Sequence, residues 1–438
     1  MVARPLLLWC CLCVPLLAAD PVPPANYDES KIPPFVLPDA LTCADASKVT
    51  TADQWTKKRR PELLQIFADQ MFGNVPAAAS KLNVQTVKVE EGEALGGMAI
   101  RRQINLIVAK SDKVTDKTPH LVLRLLLYIP KSNRPVPAFV GLNFGGNQTI
   151  SDDPAIILNP GWVRDSKDKG VADNKATEAS RGTAASRWPL DLIISKGFAV
   201  GTMYYGDIDP DFDDGFQNGI QPFAYADGQT EPKPTEWGSI AAWAWGLSRI
   251  LDALEHTPEI NAKHVAVVGH SRLGKTSLWA GANDERFALV VSNDSGCGGA
   301  ALSRRVIGES VHRINTAFPH WFCDNYPQYN SNEQNMPFDQ HELIALIAPR
   351  PVYVASALDD QWADPKGEYL SCYYADPVYR LLGTSGLGGN SPIMESPAVD
   401  VPRADGQIGY HIRTGKHDIN SYDWEQYLTF AARHFSGK

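Results

Sequence analysis

The chain has 438 residues, of which 44% are hydrophobic and 21% charged, a composition typical of folded globular proteins that excludes wholesale disorder. Its 50 acidic residues outnumber its 41 lysines and arginines, which gives a formal net charge of −9 at pH 7. This acidic balance, without a run rich in Lys or Arg, argues against binding to nucleic acid.

The N-terminus has the pattern of a secretory signal peptide. Arg4 precedes an apolar run over residues 5–17, too short to span a bilayer, and Ala18-Ala19 supplies the small residues of a cleavage site. We therefore expect residues 1–19 to be a signal peptide and residues 20–438 to be a single domain. The mature protein is predicted to be secreted or periplasmic, monomeric and free of the membrane.

Four cysteines remain after the predicted cleavage: Cys43, Cys297, Cys323 and Cys372. An oxidising compartment permits disulfides between them. A domain of this size does not need such bonds, so free buried thiols are an equally good expectation. The wide spacing of the four residues matches no zinc motif.

Apolar runs rich in Val, Ile and Leu alternate with helical patterns along the chain. The patterns predict strands at residues 104–108, 121–129, 138–143, 198–205, 265–269, 289–292 and 352–357, and helices at residues 60–72, 236–255, 274–282 and 423–435. Nearly continuous apolar runs are typical of parallel strands that are buried on both faces. The sequence thus predicts an α/β three-layer sandwich with a mainly parallel sheet, an antiparallel edge from the early strands, and a long polar loop over residues 147–188.

The most informative stretch surrounds Ser271. A buried strand is predicted to end at Gly269, Ser271 follows, and a helix comes next, which is the strand–turn–helix context of a nucleophile elbow. Small residues must flank such a serine because the strand and the helix approach each other closely. Leu273 stands where the usual second glycine would be and Gly274 comes one residue later, so the strict G-x-S-x-G motif is absent.

The same residues admit a second interpretation. Residues 269–276 match the P-loop pattern G-x-x-x-x-G-K-[ST] of nucleotide-binding proteins. The bulky run His-Ser-Arg-Leu stands where a phosphate cradle needs slim backbone, and no acidic strand stands out as a Mg²⁺ partner. A hydrolase is therefore favoured, with a nucleotide-binding protein as the alternative from another class.

A serine hydrolase needs a base and an acid in the chain order Ser, Asp or Glu, His. His417 lies in a glycine-containing loop before the last predicted helix, where the base is expected, and would take the proton of Ser271 and return it to the leaving alcohol. His411, on the preceding strand, is predicted to be structural. Asp294 and Asp360 both follow predicted strands, and either could orient the imidazole.

Taken together, these motifs resemble carbohydrate esterase family 15, the glucuronoyl esterases, in its bacterial form. The nucleophile motif of that family is G-C-S-R-x-G, and residues 269–274 differ from it only by a histidine in place of the cysteine. Further motifs extend the resemblance over most of the mature chain: Arg181-Gly182, Asp207–Pro210, Asp294–Gly299, Pro337–His341, Ala348–Arg350, Asp360–Trp362 and Gly415–His417.

The resemblance implies an α/β-hydrolase that cleaves esters between the glucuronate side chains of xylan and lignin alcohols, with a Ser-His-Asp triad and no metal or organic cofactor. It implies Ser271 as the nucleophile, His417 as the base, and Asp360 or Asp294 as the acid, with Asp360 slightly favoured. Arg272 would support the oxyanion beside backbone N–H groups.

On the same resemblance, Lys275, Glu309 and Trp362 hold the glucuronate ring and its hydroxyl groups. Without the resemblance these residues would be interpreted as a helix-face charge, a solvated carboxylate and a core aromatic. The loop at residues 143–146 is expected to supply a second oxyanion N–H.

Two other functions stay open because a fold does not fix a substrate. The first is another carbohydrate esterase, one that deacetylates xylan or demethylates pectin. The second, more remote, is a hydrolase relative that binds carbohydrate without catalysis, against which the complete set of Ser, His and acid argues. The expected partner is the ester that joins glucuronoxylan to lignin.

Overall fold

A central β-sheet organises residues 21–389 and 393–436, the part of the chain that this computed structural model describes. The predicted signal peptide, residues 1–19, lies outside the described residues. The strands are β1 (Asn83–Ala94), β2 (Ala99–Ala109), β3 (Leu121–Pro130), β4 (Val136–Asn143), β5 (Val171–Ala172), β6 (Lys175–Ala176), β7 (Ala199–Tyr204), β8 (Ile260–His270), β9 (Leu289–Asn293), β10 (Val352–Ala357) and β11 (Ile408–Arg413).

Within the described residues, nine strands form one sheet in the order β1-β2-β3-β7-β4-β8-β9-β10-β11, and β5 pairs with β6 in a separate ribbon. Strands β1, β2, β3 and β7 pair antiparallel with one another. From β7 onward, through β4 and β8 to β11, every pairing is parallel. The predicted sheet, mainly parallel with an antiparallel edge, is confirmed.

Helices cover both faces of this sheet. They are α1 (Ala52–Gln54), α2 (Arg60–Phe67), α3 (Leu190–Ser195), α4 (Gln221–Ala224), α5 (Ser239–Glu255), α6 (Arg272–Asn283), α7 (Val311–Ala317), α8 (Gln340–Ala345), α9 (Pro365–Leu381) and α10 (Ser421–Phe435). On one face, Trp424 of α10 packs edge-on against Phe139 of β4, with ring centroids 5.4 Å apart. On the other face, Phe72 stacks on Trp279 of α6 at 4.4 Å. Since both faces are filled, the loops at the carboxyl edge of the sheet are left to form a site.

The sequence patterns missed two long elements. Helix α9 contains Pro377 in its interior and many polar residues, which hid its helical pattern. Strand β1 is an edge strand whose side chains are mostly exposed or half-buried, so it lacks the apolar run of the central strands.

The long polar loop predicted at residues 147–188 is well anchored. It contains short 3₁₀ turns and the β5–β6 ribbon. Backbone hydrogen bonds from Gly182 to Gln148 (3.0 Å) and from Ala184 to Thr149 (2.8 Å) tie its two ends together. The loop is therefore a wall beside the carboxyl edge of the sheet.

All four cysteines named above are free and buried, which agrees with the expectation of free thiols. Among the described helices, none is both long enough and apolar enough to cross a bilayer.

Candidate active site

Ser271 stands at the sharp turn between β8 and α6. Its backbone has φ 58° and ψ −130°, in the left-handed half of conformational space where a residue with a side chain is strained by about 1–3 kcal/mol. The N–H groups of Gly274 and Lys275 donate to the Ser271 carbonyl at 2.8 and 3.2 Å, so the helix begins directly after the serine. The first helical N–H, that of Arg272, has no helical carbonyl to bond to. It is therefore suited to bind an oxyanion.

The two glycines of the motif allow this close turn. A Cβ atom on Gly269 would lie 1.8 Å from the carbonyl oxygen of Leu273, and one on Gly274 would lie 3.0 Å from the Cβ atom of Ser295. Leu273 is tolerated between them because its backbone, rather than its side chain, approaches Gly269. The missing G-x-S-x-G glycine is thus compatible with an elbow.

The P-loop interpretation of the same residues does not fit this geometry. A phosphate cradle needs a loop between strand and helix, whereas α6 begins at the residue after Ser271. Lys275, the residue that would reach a phosphate, is buried and donates from Nζ to the Ser295 carbonyl at 2.5 Å.

His417 and Asp360 form a hydrogen-bonded pair next to the elbow. The Nδ1 atom of His417 lies 2.6 Å from Oδ2 of Asp360, which is buried after the end of β10. The imidazole of His417 packs against that of His270, the residue before Ser271, with ring centroids 4.5 Å apart. The Ser271 hydroxyl has no hydrogen-bond partner among the described residues, and such contacts often form only when substrate is bound.

Asp294, the other candidate acid, contacts the backbone beside the histidine. Its Oδ2 accepts a hydrogen bond from the Asp418 N–H at 3.3 Å, while its buried Oδ1 has no hydrogen-bond partner. Burial, followed by the negative charges of Glu368 and Asp360, raises the pKa of Asp294 well above its usual value. Asp294 therefore supports the loop, and Asp360 is the carboxylate bonded to the imidazole.

The two carboxylates and His417 also have the donor types that a divalent metal prefers. One ligand atom from each of Asp294, Asp360 and His417 lies within 4.8 Å of the others. The Nδ1 atom of His417 is already bonded to Asp360, as a triad requires, so no ion is needed to hold the three groups together.

Arg272 is held in an aromatic cage. Its guanidinium carbon lies 4.7 Å from the ring centroid of Trp321, 5.6 Å from that of Phe318 and 5.7 Å from that of Phe144. Nη1 also donates to Oδ2 of the buried Asp211. The cation is thus fixed in place next to the nucleophile before any substrate arrives.

Asp211, the buried partner of Arg272, is a residue of the candidate site that the sequence analysis missed. It accepts hydrogen bonds from His320 Nε2 (2.9 Å), the Trp321 indole (2.8 Å) and the Tyr205 hydroxyl (2.9 Å). Burial alone would raise its pKa, but the bond from His320 and the charge of Arg272 hold the pKa of Asp211 well below its ordinary value. A lone carboxylate in a polar loop matches no catalytic motif. The one sequence feature that could have pointed to Asp211 is its place directly after the motif at residues 207–210.

Lys275, Glu309 and Trp362, which the sequence places far apart, lie together. Lys275 Nζ is 3.7 Å from Glu309 Oε2, with both side chains less than a tenth exposed. The Glu309 N–H donates to the Trp362 carbonyl at 3.0 Å. Burial raises the pKa of Glu309 in spite of the neighbouring charge of Lys275. Trp362 is 38% exposed, and the guanidinium of Arg313 lies over its ring at 5.6 Å from the centroid.

The loop expected to supply a second oxyanion donor is partly occupied. The Gly146 N–H donates to the Asn143 side chain at 2.8 Å, and Asn143 Nδ2 donates to Asn147 at 2.8 Å. This leaves the N–H groups of Phe144 and Gly145 as the candidates in this loop.

Comparison with known proteins gives one family throughout. A family model described as glucuronyl esterase of fungi matches residues 232–383. A carbohydrate esterase of an unknown prokaryotic organism is 50% identical over 413 residues, which cover 94% of this chain and 92% of that protein.

Two solved structures extend the comparison to the fold. A promiscuous family 15 esterase from a marine bacterial metagenome is 50% identical with a TM-score of 0.85, covering 94% of this chain and all of that one. A glucuronoyl esterase from Solibacter usitatus is 44% identical with a TM-score of 0.84, covering 93% of this chain and all of that one. The chain is an α/β-hydrolase and belongs to carbohydrate esterase family 15, the glucuronoyl esterases.

Proposed function

We propose that this protein is a secreted serine esterase that hydrolyses esters of glucuronate, such as those that join xylan side chains to lignin alcohols. The observation that carries the proposal is the strained Ser271 elbow beside the His417–Asp360 pair, in a family whose relatives are named glucuronoyl esterases. The exported location rests on the signal-peptide pattern.

In the first half of the reaction, the Ser271 oxygen attacks the ester carbonyl and forms a C–O bond. His417 takes the hydroxyl proton as the bond forms, and Asp360 stabilises the resulting imidazolium through its hydrogen bond to Nδ1. Collapse of the tetrahedral intermediate breaks the ester bond, and His417 gives the proton to the departing alcohol. The product of this half is a glucuronoyl ester of Ser271.

The negative charge of the tetrahedral intermediate is stabilised by Arg272. Its backbone N–H lies at the helix N-terminus, where partial positive charge is concentrated. Its side chain adds a full charge that the aromatic cage and Asp211 hold in place, so little reorganisation is needed during the reaction. Substitution of one such donor typically costs kcat about 10²–10³-fold.

In the second half, His417 activates a water that attacks the acyl carbonyl, and Ser271 leaves with the proton. The released acid is glucuronate. We assign the binding of this sugar's hydroxyl groups to the Lys275–Glu309 pair and the contact with its ring to the partly exposed Trp362.

The decisive experiment compares three substrates: benzyl glucuronate, acetylated xylan and methyl galacturonate. We expect kcat/KM to be highest for benzyl glucuronate. Hydrolysis of this ester should be lost in Ser271→Ala, while the circular dichroism spectrum of the variant matches that of the unmodified protein. A chelator arm controls for adventitious metal at the Asp294, Asp360 and His417 atoms. Faster turnover of the acetyl or methyl esters would contradict the assignment.

The acetyl and methyl esters are included among the substrates because a related esterase is promiscuous. One of the 50%-identical relatives is described as a promiscuous esterase of the same family. A second candidate function is therefore broad carbohydrate esterase activity, which would show as comparable kcat/KM values for all three substrates.

A further inference from the structure

A second cleft, of about 290 Å³ and lined by both polar and apolar side chains, opens at the same edge of the sheet as the nucleophile. One wall is formed by Asn105 of β2 and Arg124 of β3, which are cross-strand partners. The other wall is the loop that follows β4, with Asn147 and Asn159. Its volume is close to the lower end of the range for small-molecule sites, about 300–1,000 Å³.

The position of this cleft relative to Ser271 follows from the order of the strands. Strand β8 leads into the nucleophile, and β3 is three strands away through β4 and β7. At about 4.8 Å per strand, β3 lies roughly 14 Å and β2 roughly 19 Å from β8. A single sugar ester bound at Ser271 does not reach that far, but a polysaccharide chain does.

The cleft has hydrogen-bonding groups without protein partners. The Asn105 side-chain amide forms no hydrogen bond within the described part of the chain. The Arg124 guanidinium uses Nη1 on Asp207 (3.1 Å) and on the Val122 carbonyl (3.2 Å), which leaves its other N–H groups for a ligand. Amide and guanidinium groups of this kind suit the hydroxyl groups of a sugar.

The charge balance of the cleft and the aliphatic side chains at its rim indicate which class of ligand it binds. Among the described residues that line the cleft, Arg124 alone is ionisable, and the buried Asp207 balances its charge. Val89 and Ile157, 42% and 47% exposed, flank the polar groups with aliphatic surface. A neutral ligand with alternating hydroxyl and C–H surface fits these walls better than an anion.

We propose that this cleft binds the neutral sugar backbone of the polysaccharide whose side-chain ester is cleaved at Ser271, an inference that rests on the proposed function. One hydrogen bond connects the two sites directly. Asn147 of the cleft accepts from Asn143 in the loop of the candidate oxyanion donors, at 2.8 Å. The cleft thus anchors long substrates and leaves small ones unaffected.

The test uses variants that alter the cleft without touching the nucleophile. Val89→Trp fills the cleft from an exposed position, and Asn105→Ala removes the unpartnered amide. Thr86→Trp, an exposed position on the same strand outside the lining, is the matched control. Each variant is assayed on benzyl glucuronate and on a glucuronoxylan polymer ester, and xylohexaose binding is measured by titration calorimetry.

For the polymer ester we expect KM to rise about threefold to tenfold in both cleft variants, the size expected for loss of one or two neutral hydrogen bonds. In the cleft variants, kcat and KM for benzyl glucuronate stay unchanged. In Thr86→Trp, kcat and KM for both substrates stay unchanged. Xylohexaose binding weakens by the same factor in the cleft variants.

The proposal is overturned if polymer KM and xylohexaose affinity are the same in Val89→Trp and in Thr86→Trp. It is also overturned if benzyl glucuronate turnover falls together with polymer turnover, since that would mean a general structural effect. If the unmodified protein does not hydrolyse benzyl glucuronate, the proposed function fails, whereas xylohexaose titration still decides whether the cleft binds sugar.

Discussion

Two of the histidine–aspartate pairs in the described part of the chain, His417–Asp360 and His411–Asp423, have sharply different surroundings. In the first, His417 Nδ1 is 2.6 Å from Asp360, and the histidine side chain is 41% exposed. In the second, His411 Nε2 is 2.9 Å from Asp423, and neither side chain is exposed. The Tyr353 hydroxyl occupies the remaining nitrogen of His411 at 3.0 Å.

A general base needs one nitrogen free for its proton. His417 keeps Nε2 without a partner among the described residues, while both nitrogens of His411 are occupied. In the proposed mechanism Asp360 orients a reactive imidazole, whereas Asp423 joins β11 to α10 through the buried imidazole of His411. Access to the free nitrogen, and not the pairing itself, distinguishes the two.

The largest expected effect is a loss of kcat on substitution of His417, the histidine of the exposed pair. His417→Gln removes the base, so kcat for benzyl glucuronate should fall by about 10⁶-fold, as in other serine hydrolases. The free energy of unfolding, measured in urea, should change little because the side chain is partly exposed. A kcat within tenfold of the unmodified protein would exclude His417 as the base.

The next effect separates the two candidate acids. Asp360→Asn leaves the imidazole with the wrong hydrogen-bond partner, and kcat should fall by about 10⁴-fold. Asp294→Asn should lower kcat less than tenfold, because Asp294 contacts the Asp418 backbone and Asp360 is the carboxylate bonded to the imidazole. Single and double variants are compared by steady-state kinetics. If the larger loss belongs to Asp294→Asn, the orienting role of Asp360 is wrong.

The third-largest effect is expected for Arg272, the cation in the aromatic cage. Arg272→Gln should lower kcat by about 10²–10³-fold with KM nearly unchanged, since the charge acts on the oxyanion. Arg164→Gln is the matched control, because Arg164 also lies near Asp211 (3.8 Å) but is 59% exposed. A change confined to KM would assign Arg272 to substrate binding instead.

Substitution in the buried pair, His411 and Asp423, should lower the stability of the fold. His411→Gln breaks the hydrogen bond to Asp423 in the core, and the free energy of unfolding should fall by about 1.5–3 kcal/mol. The folded fraction should keep a kcat within a few-fold of the unmodified protein. Loss of kcat with intact stability would contradict the structural role of His411.

The smallest effect concerns pH. Burial raises the pKa of Asp294, so between the ordinary value near 3.9 and the raised value the folded state holds a proton that the unfolded state has lost. The contribution of Asp294 to stability is therefore complete at low pH and falls by up to about 1.4 kcal/mol per pH unit as the pH rises. Asp294→Asn should lack this slope in urea unfolding at several pH values; identical slopes would contradict the shift.

Much of the fold followed from the sequence because buried parallel strands have continuous apolar runs. Such a run preceded Ser271, and the flanking glycines placed the elbow. The loop position of His417 likewise followed from its place before the last helix. Edge strand β1 and the proline-containing helix α9 lack these patterns and were missed.

The contacts around the site were harder to foresee, since they join residues that are distant in the chain. The ion pair of Arg272 with Asp211 spans 61 positions, and the bond of His417 to Asp360 spans 57. Sequence alone left Asp294 and Asp360 as alternatives, because both follow strands at the same edge. Only the three-dimensional arrangement shows which carboxylate contacts the imidazole and which contacts the neighbouring backbone.

The central claim is that the exposed histidine pair activates Ser271 and the buried pair does not. The rate at which a fluorophosphonate modifies Ser271, followed by intact-protein mass spectrometry, measures that activation without depending on the choice of ester. We expect rapid modification at a single site in the unmodified protein and in His411→Gln, and slowing by at least about 10³-fold in His417→Gln. Equally fast modification of His417→Gln, or slow modification of a folded His411→Gln, would contradict the account.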